Sequence, residues 1–283
     1  MVEATGAGTR PIGVRSRRAG CVERRTFGSE GGLRKQARGN ASTAPQLDPY
    51  YLDAGAEQER RVMLVVIGVD TKGEKDLLAI EDAFGESAES WTVLFESLRD
   101  RGLKNVALLV ADGAQGIWKA FSAVFPRAKQ QRCWLHKIRN AEDKVPEKHR
   151  AMIHARLAEA MMAPSRAQAE RLLEKLAREL ARQYPKAAAC LRDDVARLTA
   201  YDDFPRPHWK HSRTTNVIES NFDPVRSRTN VCKRMRNAES AKYLVWALLP
   251  RRRSHWRRFN GHALLPRVHH AVIAKPIALG KAA

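Results

Sequence analysis

The sequence predicts a mixed α/β fold, and three observations indicate this class. Residues 61–69 form a β-branched apolar run that ends at a turn, which is typical of a strand. Residues 106–111 form a second continuous apolar run, which indicates a strand buried on both faces. Apolar residues recur at helical spacing in residues 90–103 and again in residues 117–125. Alternating strands and helices of this kind predict a sheet covered by helices.

The order of the predicted elements defines the fold further. Three strands come first and form an antiparallel meander, and they are followed by a helix, a strand, a helix and a strand. In that order the elements cover residues 49–53, 61–69, 76–80, 90–103, 106–111, 117–125 and 128–134, and a basic turn follows at residues 137–140. This is the element order of the ribonuclease-H-like fold, with a mixed sheet flanked by helices.

Changes in composition divide the chain into five parts. Residues 1–48 are rich in Gly, Arg, Ser and Ala and are predicted to be a disordered basic leader. Residues 49–145 form the first part of the catalytic core, and residues 146–205 form an all-α insertion in which Ser165 is a predicted N-cap. Residues 206–260 complete the core with a Glu-bearing helix and a basic helix, 238–259, that Pro250 kinks or divides. Residues 261–283 are a tail.

Charge and cysteine content indicate the class of partner and the compartment. The chain has 283 residues, with 51 Lys and Arg against 31 Asp and Glu, a formal net charge of +20. Such a balance favours a nucleic-acid partner. The four cysteines lack the paired spacing of a disulfide framework or a zinc ribbon. No apolar run is long enough to span a membrane, so we predict a cytoplasmic, nucleoid-associated protein without a membrane partner.

Three carboxylates have the placement needed for metal-dependent phosphodiester chemistry. Asp53 ends the first strand, Asp112 follows the buried strand 106–111, and Glu219 lies on a predicted helix near the edge of its apolar stripe. A pair of hard divalent ions needs few protein groups, because phosphate and water complete the coordination. We therefore predict that Asp53, Asp112 and Glu219 are catalytic and hold Mg²⁺ or Mn²⁺. An Asp after a strand is also a common turn residue, so the ordered set carries the prediction.

Other polar residues were assigned supporting roles. Cys133 and His136 have the spacing of two zinc ligands, but a structural zinc site needs four, and no second pair is present. We interpret both as structural residues near the site, with His136 a candidate contact to the scissile phosphate. Backbone contacts to DNA are assigned to a set of basic residues: Arg139, Arg226, Arg228, Lys233, Arg234 and Arg236.

Several motifs together resemble one known family. The segments VADGAQGIWKAFSAVFPRAKQQRCWLHKIRN, TTNVIESNF, VRSRT and GESAESW are similar to those of the Mutator-type bacterial insertion-sequence transposases. The resemblance covers roughly residues 50–268. It implies a DDE transposase that uses Mg²⁺ to cut and rejoin DNA, acting as a homo-oligomer on insertion-sequence ends and target DNA. Matched onto this chain, the two aspartates are Asp53 and Asp112, the glutamate is Glu219, and the Cys-x-x-His pair is Cys133 and His136.

Two departures from the family pattern lead to a further expectation. The connection after Asp53 is short, and residues 1–48 do not resemble the helical DNA-binding region found at this point in the family. We therefore expect a truncated or degraded transposase with reduced transposition. One alternative is a non-catalytic DNA-binding remnant or regulator that retains the fold. Another is a Holliday-junction or ribonuclease-H-type nuclease, which would share the carboxylates but would not carry the long helical insertion.

Overall fold

The computed structural model describes residues 46–53, 60–83, 87–216, 238–248 and 256–274. It is a mixed α/β structure, as predicted, built on a five-stranded sheet with strand order β3-β2-β1-β4-β5. The strands are β1 (Gln46–Asp53), β2 (Arg60–Val69), β3 (Lys75–Ala83), β4 (Leu108–Ala111) and β5 (Lys129–Arg132). Because β1 begins at Gln46, it includes the last three residues that the sequence assigned to the leader.

The strand directions define one edge of the sheet. The antiparallel meander is confirmed, since β1 pairs antiparallel with β2 and β2 with β3. β4 lies parallel to β1 on its other side, and β5 lies parallel to β4. β1, β3, β4 and β5 therefore run in the same direction. We call the level at which β4 and β5 end the carboxyl edge, and β1 and β3 continue past it.

Two helices cover one face of the sheet. They are α1 (Ala88–Asp100) and α2 (Gln115–Val124). Ser87 caps α1, because its side chain accepts a hydrogen bond of 3.1 Å from the Ser90 N–H. The apolar stripes of α1 and α2 meet through aromatic rings, with the Phe95 and Phe121 centroids 5.3 Å apart in an edge-to-face arrangement. This contact places α2, and hence the turn that precedes it, firmly against the sheet.

The segment after β5 differs from its prediction. The sequence predicted a strand to residue 134 and then a basic turn, but the strand ends at Arg132 and a helix, α3 (Trp134–Glu142), follows. The reason is a helical period that the basic residues obscured. Trp134, Ile138 and Ala141 lie on one buried face of α3, and Lys137 is buried beside them.

A helical region follows α3 and has its own core. Its helices are α4 (Glu147–Met161), α5 (Arg166–Leu180), α6 (Pro185–Arg192) and α7 (Val195–Leu198). The predicted N-cap is confirmed, since the Ser165 side chain accepts from the Gln168 N–H. The apolar faces of α4, α5 and α6 pack against one another and against α3 in a cluster that also contains Trp134 and Tyr201.

The helical region also covers the edge strand β5. The amide side chain of Gln131 donates to the Leu198 carbonyl at 2.9 Å and accepts from the Tyr201 N–H at 2.7 Å. The Trp134 indole donates to the same Leu198 carbonyl at 2.8 Å. An uncovered edge strand is a site for unwanted pairing. These bonds instead connect the end of the helical region to β5.

The remaining described residues return to the sheet. Two 3-10 helices (Ala200–Asp203 and Arg206–His208) lead into the short helix α8 (Trp209–Ser212). Later come α9 (Ala238–Leu248), a 3-10 helix (His262–Leu264) and α10 (Leu265–Ala274). Within the described ranges, no helix has the length and apolar character required to cross a membrane.

The predicted helix over residues 238–259 is correct only for its first part. Residues 256–259 are not helical, because their polar groups bond to the β2–β3 turn instead of to a preceding helical turn. The Phe259 N–H donates to the Gly73 carbonyl at 2.9 Å, and Arg258 Nε donates to the Lys72 carbonyl at 2.7 Å. Pro250, which was predicted to kink or divide the helix, lies outside the described residues.

Candidate active site at the carboxyl edge of the sheet

Asp112 lies where the fully buried strand β4 reaches the carboxyl edge. Its side chain is held in a defined position, because one carboxylate oxygen accepts a hydrogen bond of 3.1 Å from the Ala114 N–H. Asp112 is only 8% exposed. The next residue, Gly113, has a φ of 113°, a conformation that favours glycine and turns the chain from β4 towards α2. This turn therefore presents one fixed carboxylate at the end of β4.

The register of β1 determines which aspartate accompanies Asp112. Gln46 is paired with Val110, and continuing that parallel register by two residues on each strand brings the backbone of Asp48 level with Asp112. Asp53 lies at the other end of β1, opposite Arg60. At ~3.3 Å per residue, Asp53 is about 16 Å farther along the strand than Asp48. The sequence predicted Asp53 as the partner of Asp112, whereas the register of β1 brings Asp48 to that level.

Cys133 and Thr215 connect the carboxyl edge to the segment that precedes Glu219. The Cys133 N–H donates to the Ala111 carbonyl at 2.7 Å, which places Cys133 beside the end of β4. Its Sγ lies 2.9 Å from Thr215 Oγ1, and both residues are fully buried. The Trp134 N–H donates to the Arg213 carbonyl at 3.0 Å, which adds a backbone contact to the same junction. Glu219 itself lies outside the described residues.

A buried ion pair packs against the turn that follows Asp112. Arg132, the last residue of β5, packs against Gly113, since a Cβ added to Gly113 would lie 2.6 Å from Arg132 Nε. Arg132 forms an ion pair with Asp194, which also accepts a 2.6 Å hydrogen bond from Arg197. Burial acts to raise the pKa of Asp194, but the charge of Arg132 and the hydrogen bonds from Arg197 and Arg132 outweigh it, so that pKa is lowered.

Sequence reasoning did not identify this ion pair, because Arg132 and Asp194 are widely separated along the chain and neither belongs to a motif. In the structure, Asp194 has a left-handed φ of 61°. Such a conformation is uncommon for a non-glycine residue and is tolerated best by Asn and Asp. It turns the chain between α6 and α7, so that the Asp194 carboxylate can reach Arg132.

The other predicted site residues have different outcomes. His136 is 5% exposed on α3, and Arg139 is exposed on the next turn of that helix. Among the side chains that the structure describes, no group of three or more His, Cys, Asp or Glu could hold a metal ion. The side chains of Asp48 and Asp53 are not among them. Several predicted residues lie outside the described residues altogether: Glu219, Arg226, Arg228, Lys233, Arg234 and Arg236.

Comparison with known proteins defines the class. The family model described as transposase, Mutator family, matches residues 47–258. The chain belongs to the Mutator family of transposases.

Individual relatives agree with this assignment. The chain is 40% identical over 201 residues to the transposase for insertion sequence element IST2 of Acidithiobacillus ferrooxidans, which covers 71% of this chain and 68% of that relative. It is 36% identical over 219 residues to the transposase for insertion sequence element IS6120 of Mycolicibacterium smegmatis, covering 77% and 68%. It is 32% identical over 219 residues to the ISRM5 transposase of Rhizobium meliloti, covering 74% of this chain and 54% of that relative.

Proposed function

We propose that this protein is a DNA transposase that cleaves insertion-sequence ends and joins them to target DNA through a metal-dependent, carboxylate-based site. The observation that carries the proposal is the register of the sheet, which brings Asp48 level with Asp112 at the carboxyl edge. Two aspartates on adjacent parallel strands are the arrangement from which a shared metal site can be built. Membership of the Mutator family supports the reaction class.

The fold of the catalytic core is proposed to be ribonuclease-H-like. Three antiparallel strands, a helix, a parallel strand, a helix and a further parallel strand occur here in chain order, and the strand order is β3-β2-β1-β4-β5. We propose residues 46–145 as the first part of this core. The helical region is then an insertion within residues 146–205, and residues 206–260 return to the core with the Glu-bearing segment.

Three carboxylates are proposed to act together. They are Asp48, Asp112 and Glu219. Asp48, and not the predicted Asp53, is the proposed partner of Asp112 on β1. Covalent geometry limits the Cα of Glu219 to within ~14 Å of the Thr215 Cα, because each residue spans at most ~3.6 Å. Since Thr215 contacts Cys133 beside the end of β4, Glu219 is within reach of the carboxyl edge.

The chemistry of these side chains suits Mg²⁺ or Mn²⁺. Carboxylate oxygens are hard donors, and a site of this kind needs only a few of them. When bound, such ions lower the pKa of a coordinated water and stabilise charge on the leaving oxygen. The residues of this chain supply the orientation. The Ala114 N–H fixes the carboxylate of Asp112, and Gly113 allows Arg132 to pack beneath the turn.

DNA is the proposed partner, as the net charge of +20 favours. Arg139 is exposed on α3, which begins directly after Cys133, so it can contact the phosphate backbone near the carboxyl edge. The basic residues from Arg226 to Arg236 are proposed to extend the same contact. We also propose that the protein acts on DNA as a homo-oligomer, because an insertion sequence has two ends.

The test compares purified wild-type protein and Asp112→Asn on linear DNA that carries, or lacks, the ends of the insertion sequence. We expect cleavage in Mg²⁺ that stops in EDTA and is lost in Asp112→Asn. Cleavage and joining should depend on the ends. DNA binding by the wild type without any metal-dependent cleavage would refute the enzyme and favour a DNA-binding regulator. Cleavage unaffected by Asp112→Asn would refute the proposed site.

A further inference from the structure

Two aromatic side chains on α9 are exposed to solvent on the same face. Tyr243 is 61% exposed and Trp246 is 50% exposed. They are three residues apart, and side chains at this spacing are neighbours on a helix surface. Single exposed aromatic residues are common, whereas an adjacent pair on one helix face presents two aromatic rings to solvent side by side.

The orientation of α9 is fixed by its other face. Lys242 forms an ion pair of 2.5 Å with Glu81 of β3, and Val245 is fully buried. Each of the two aromatic residues directly follows one of these inward-facing residues. Because successive helical residues are rotated by about 100°, anchoring Lys242 and Val245 directs Tyr243 and Trp246 away from the sheet.

The ion pair also places α9 near the candidate active site. Glu81 is paired with Leu64, and Leu64 with Pro49, so Glu81 lies one residue past the level of Asp48 and Asp112 along the strands. Three strand spacings of ~4.8 Å separate β3 from β4, so the anchor of α9 lies about 14 Å across the sheet from the strand that ends at Asp112. This distance corresponds to about four base pairs of a duplex.

The charge of this part of the chain identifies the occupant of the surface. From Ala238, the start of α9, to Ala283 the sequence has nine Lys and Arg and one acidic residue, Glu239. Arg257 and Arg258 are exposed within this segment, and Arg258 is held against the β2–β3 turn. A protein or lipid partner would explain the apolar rings, but a polyanion that carries flat apolar rings of its own explains both the aromatic pair and the excess of Lys and Arg. Nucleic-acid bases stack on aromatic side chains where they are unpaired.

We propose that Tyr243 and Trp246 bind unpaired bases of the DNA strand next to the cleavage site. The inference rests on the proposed function, because cleavage generates the strand ends at which bases are free to leave the duplex. Aromatic stacking would hold such an end a few nucleotides from the carboxylates.

The experiment measures binding of the full chain in EDTA, so that cleavage cannot occur. Fluorescence anisotropy gives the Kd for a fluorescein-labelled 20-residue oligothymidine and for an abasic oligonucleotide of equal length and charge. In the double variant Tyr243→Ala/Trp246→Ala we expect the oligothymidine Kd to rise about 5- to 150-fold for each ring that stacks. The abasic Kd should change less than about twofold, and the salt dependence should be unchanged, since no phosphate contact is removed.

Two further variants serve as controls. Tyr243→Phe/Trp246→Phe retains flat rings and should bind oligothymidine within about threefold of the wild type, because stacking tolerates any aromatic ring. Val93→Ala removes another exposed apolar side chain, 68% exposed on α1, and should leave both Kd values unchanged. Circular dichroism of each variant, with its thermal midpoint, checks that the fold is retained.

Three results would overturn the proposal: an unchanged oligothymidine Kd in the alanine variant, an equal loss for the abasic probe, or loss of self-association without loss of DNA affinity. The last would identify α9 as a contact between copies of this chain. Asp112→Asn separates this proposal from the proposed function, because it should lose cleavage but bind oligothymidine like the wild type.

Discussion

Replacing Asp48 and Asp53 separately decides which aspartate of β1 belongs to the active site. The parallel register places the Asp48 backbone level with Asp112, one strand spacing of ~4.8 Å away, whereas Asp53 is about 16 Å farther along the strand. The two metal ions of such a site are only ~3.5–4 Å apart, and each bond to a Mg²⁺ ligand is ~2.0–2.1 Å. A carboxylate at the position of Asp53 is therefore too distant to share the metal ions that we propose bind at Asp112.

We expect Asp48→Asn to reduce the single-turnover cleavage rate about 10²–10³-fold, the usual effect of removing one preorganised electrostatic group. Asp53→Asn should remain within about twofold of the wild type, because its backbone lies about 16 Å farther along β1 than Asp48. Thermal unfolding gives a second readout. Mg²⁺ at ten times its Kd should stabilise the wild type and Asp53→Asn by ~1.4 kcal/mol, a rise of roughly 3–6 °C in Tm, and Asp48→Asn much less.

The opposite pattern would refute the reasoning from register. If Asp53→Asn lost cleavage and the Mg²⁺-dependent rise in Tm while Asp48→Asn kept both, then Asp53 would be the partner of Asp112. If neither substitution had an effect but Asp112→Asn did, β1 would contribute no carboxylate. Asp112→Asn is the reference in every assay, and circular dichroism confirms that each variant is folded.

Three other perturbations test the support of the site, each followed by urea denaturation. Gly113→Ala should lower the free energy of unfolding by at least ~2 kcal/mol, because its φ is 113° and the added Cβ would lie 2.6 Å from Arg132 Nε. Gly116→Ala, within α2, is the matched control and should raise it by ~0.5–1 kcal/mol. Asp194→Asn should cost ~3–5 kcal/mol at pH 7 by leaving Arg132 buried without a charged partner. Because the pKa of Asp194 is lowered in the folded state, the ionised carboxylate stabilises the fold above its unfolded pKa of ~3.9. This stabilisation is lost as the pH falls through the folded-state pKa. The difference in the free energy of unfolding between Asp194→Asn and the wild type should therefore narrow in acid. Burial lowers the pKa of Lys75 to about 8. As the pH rises from about 8 towards ~10.4, only the unfolded chain still binds a proton at Lys75, so the free energy of unfolding of the wild type should rise relative to that of Lys75→Met. The same dependence of unfolding free energy on pH in both proteins would contradict this.

Much of the sheet could be predicted from the sequence because its signals are local. The β-branched run of β2 and the apolar run that ends at Asp112 are periodic patterns within single elements. The stripe of Trp91, Phe95 and Leu98 on α1 is likewise a local pattern. Where apolar residues repeat with a single strand or helix period, that period predicts which side chains are buried. The position of Asp112 at a strand end could therefore be identified without any tertiary information.

The features that escaped prediction depend on pairing between distant segments. Asp48 falls in the predicted leader because the strand is predicted to begin at Pro49, and a proline is often the first residue of a strand. The register of β1 against β4 is set by long-range pairing, to which no local pattern is sensitive. Lys137 and Arg139 obscured the helical period of α3. In each case tertiary structure decided between local alternatives of similar strength.

The contacts at β5 explain how two carboxylates far apart in the chain can belong to one site. The chain leaves the carboxyl edge at Cys133, passes through α3 and the helical region, and returns at Thr215, whose hydroxyl lies 2.9 Å from Cys133 Sγ. Near the end of this excursion, Asp194 forms an ion pair with Arg132 beneath the Asp112 turn. Closing a long loop costs free energy that grows only logarithmically with its length, about 0.6 kcal/mol for each doubling. The helices between α3 and Asp194 can therefore change in length or packing while the contacts of Asp194 with Arg132 and of Thr215 with Cys133 are kept. The segment that leads to Glu219 then still starts at the carboxyl edge.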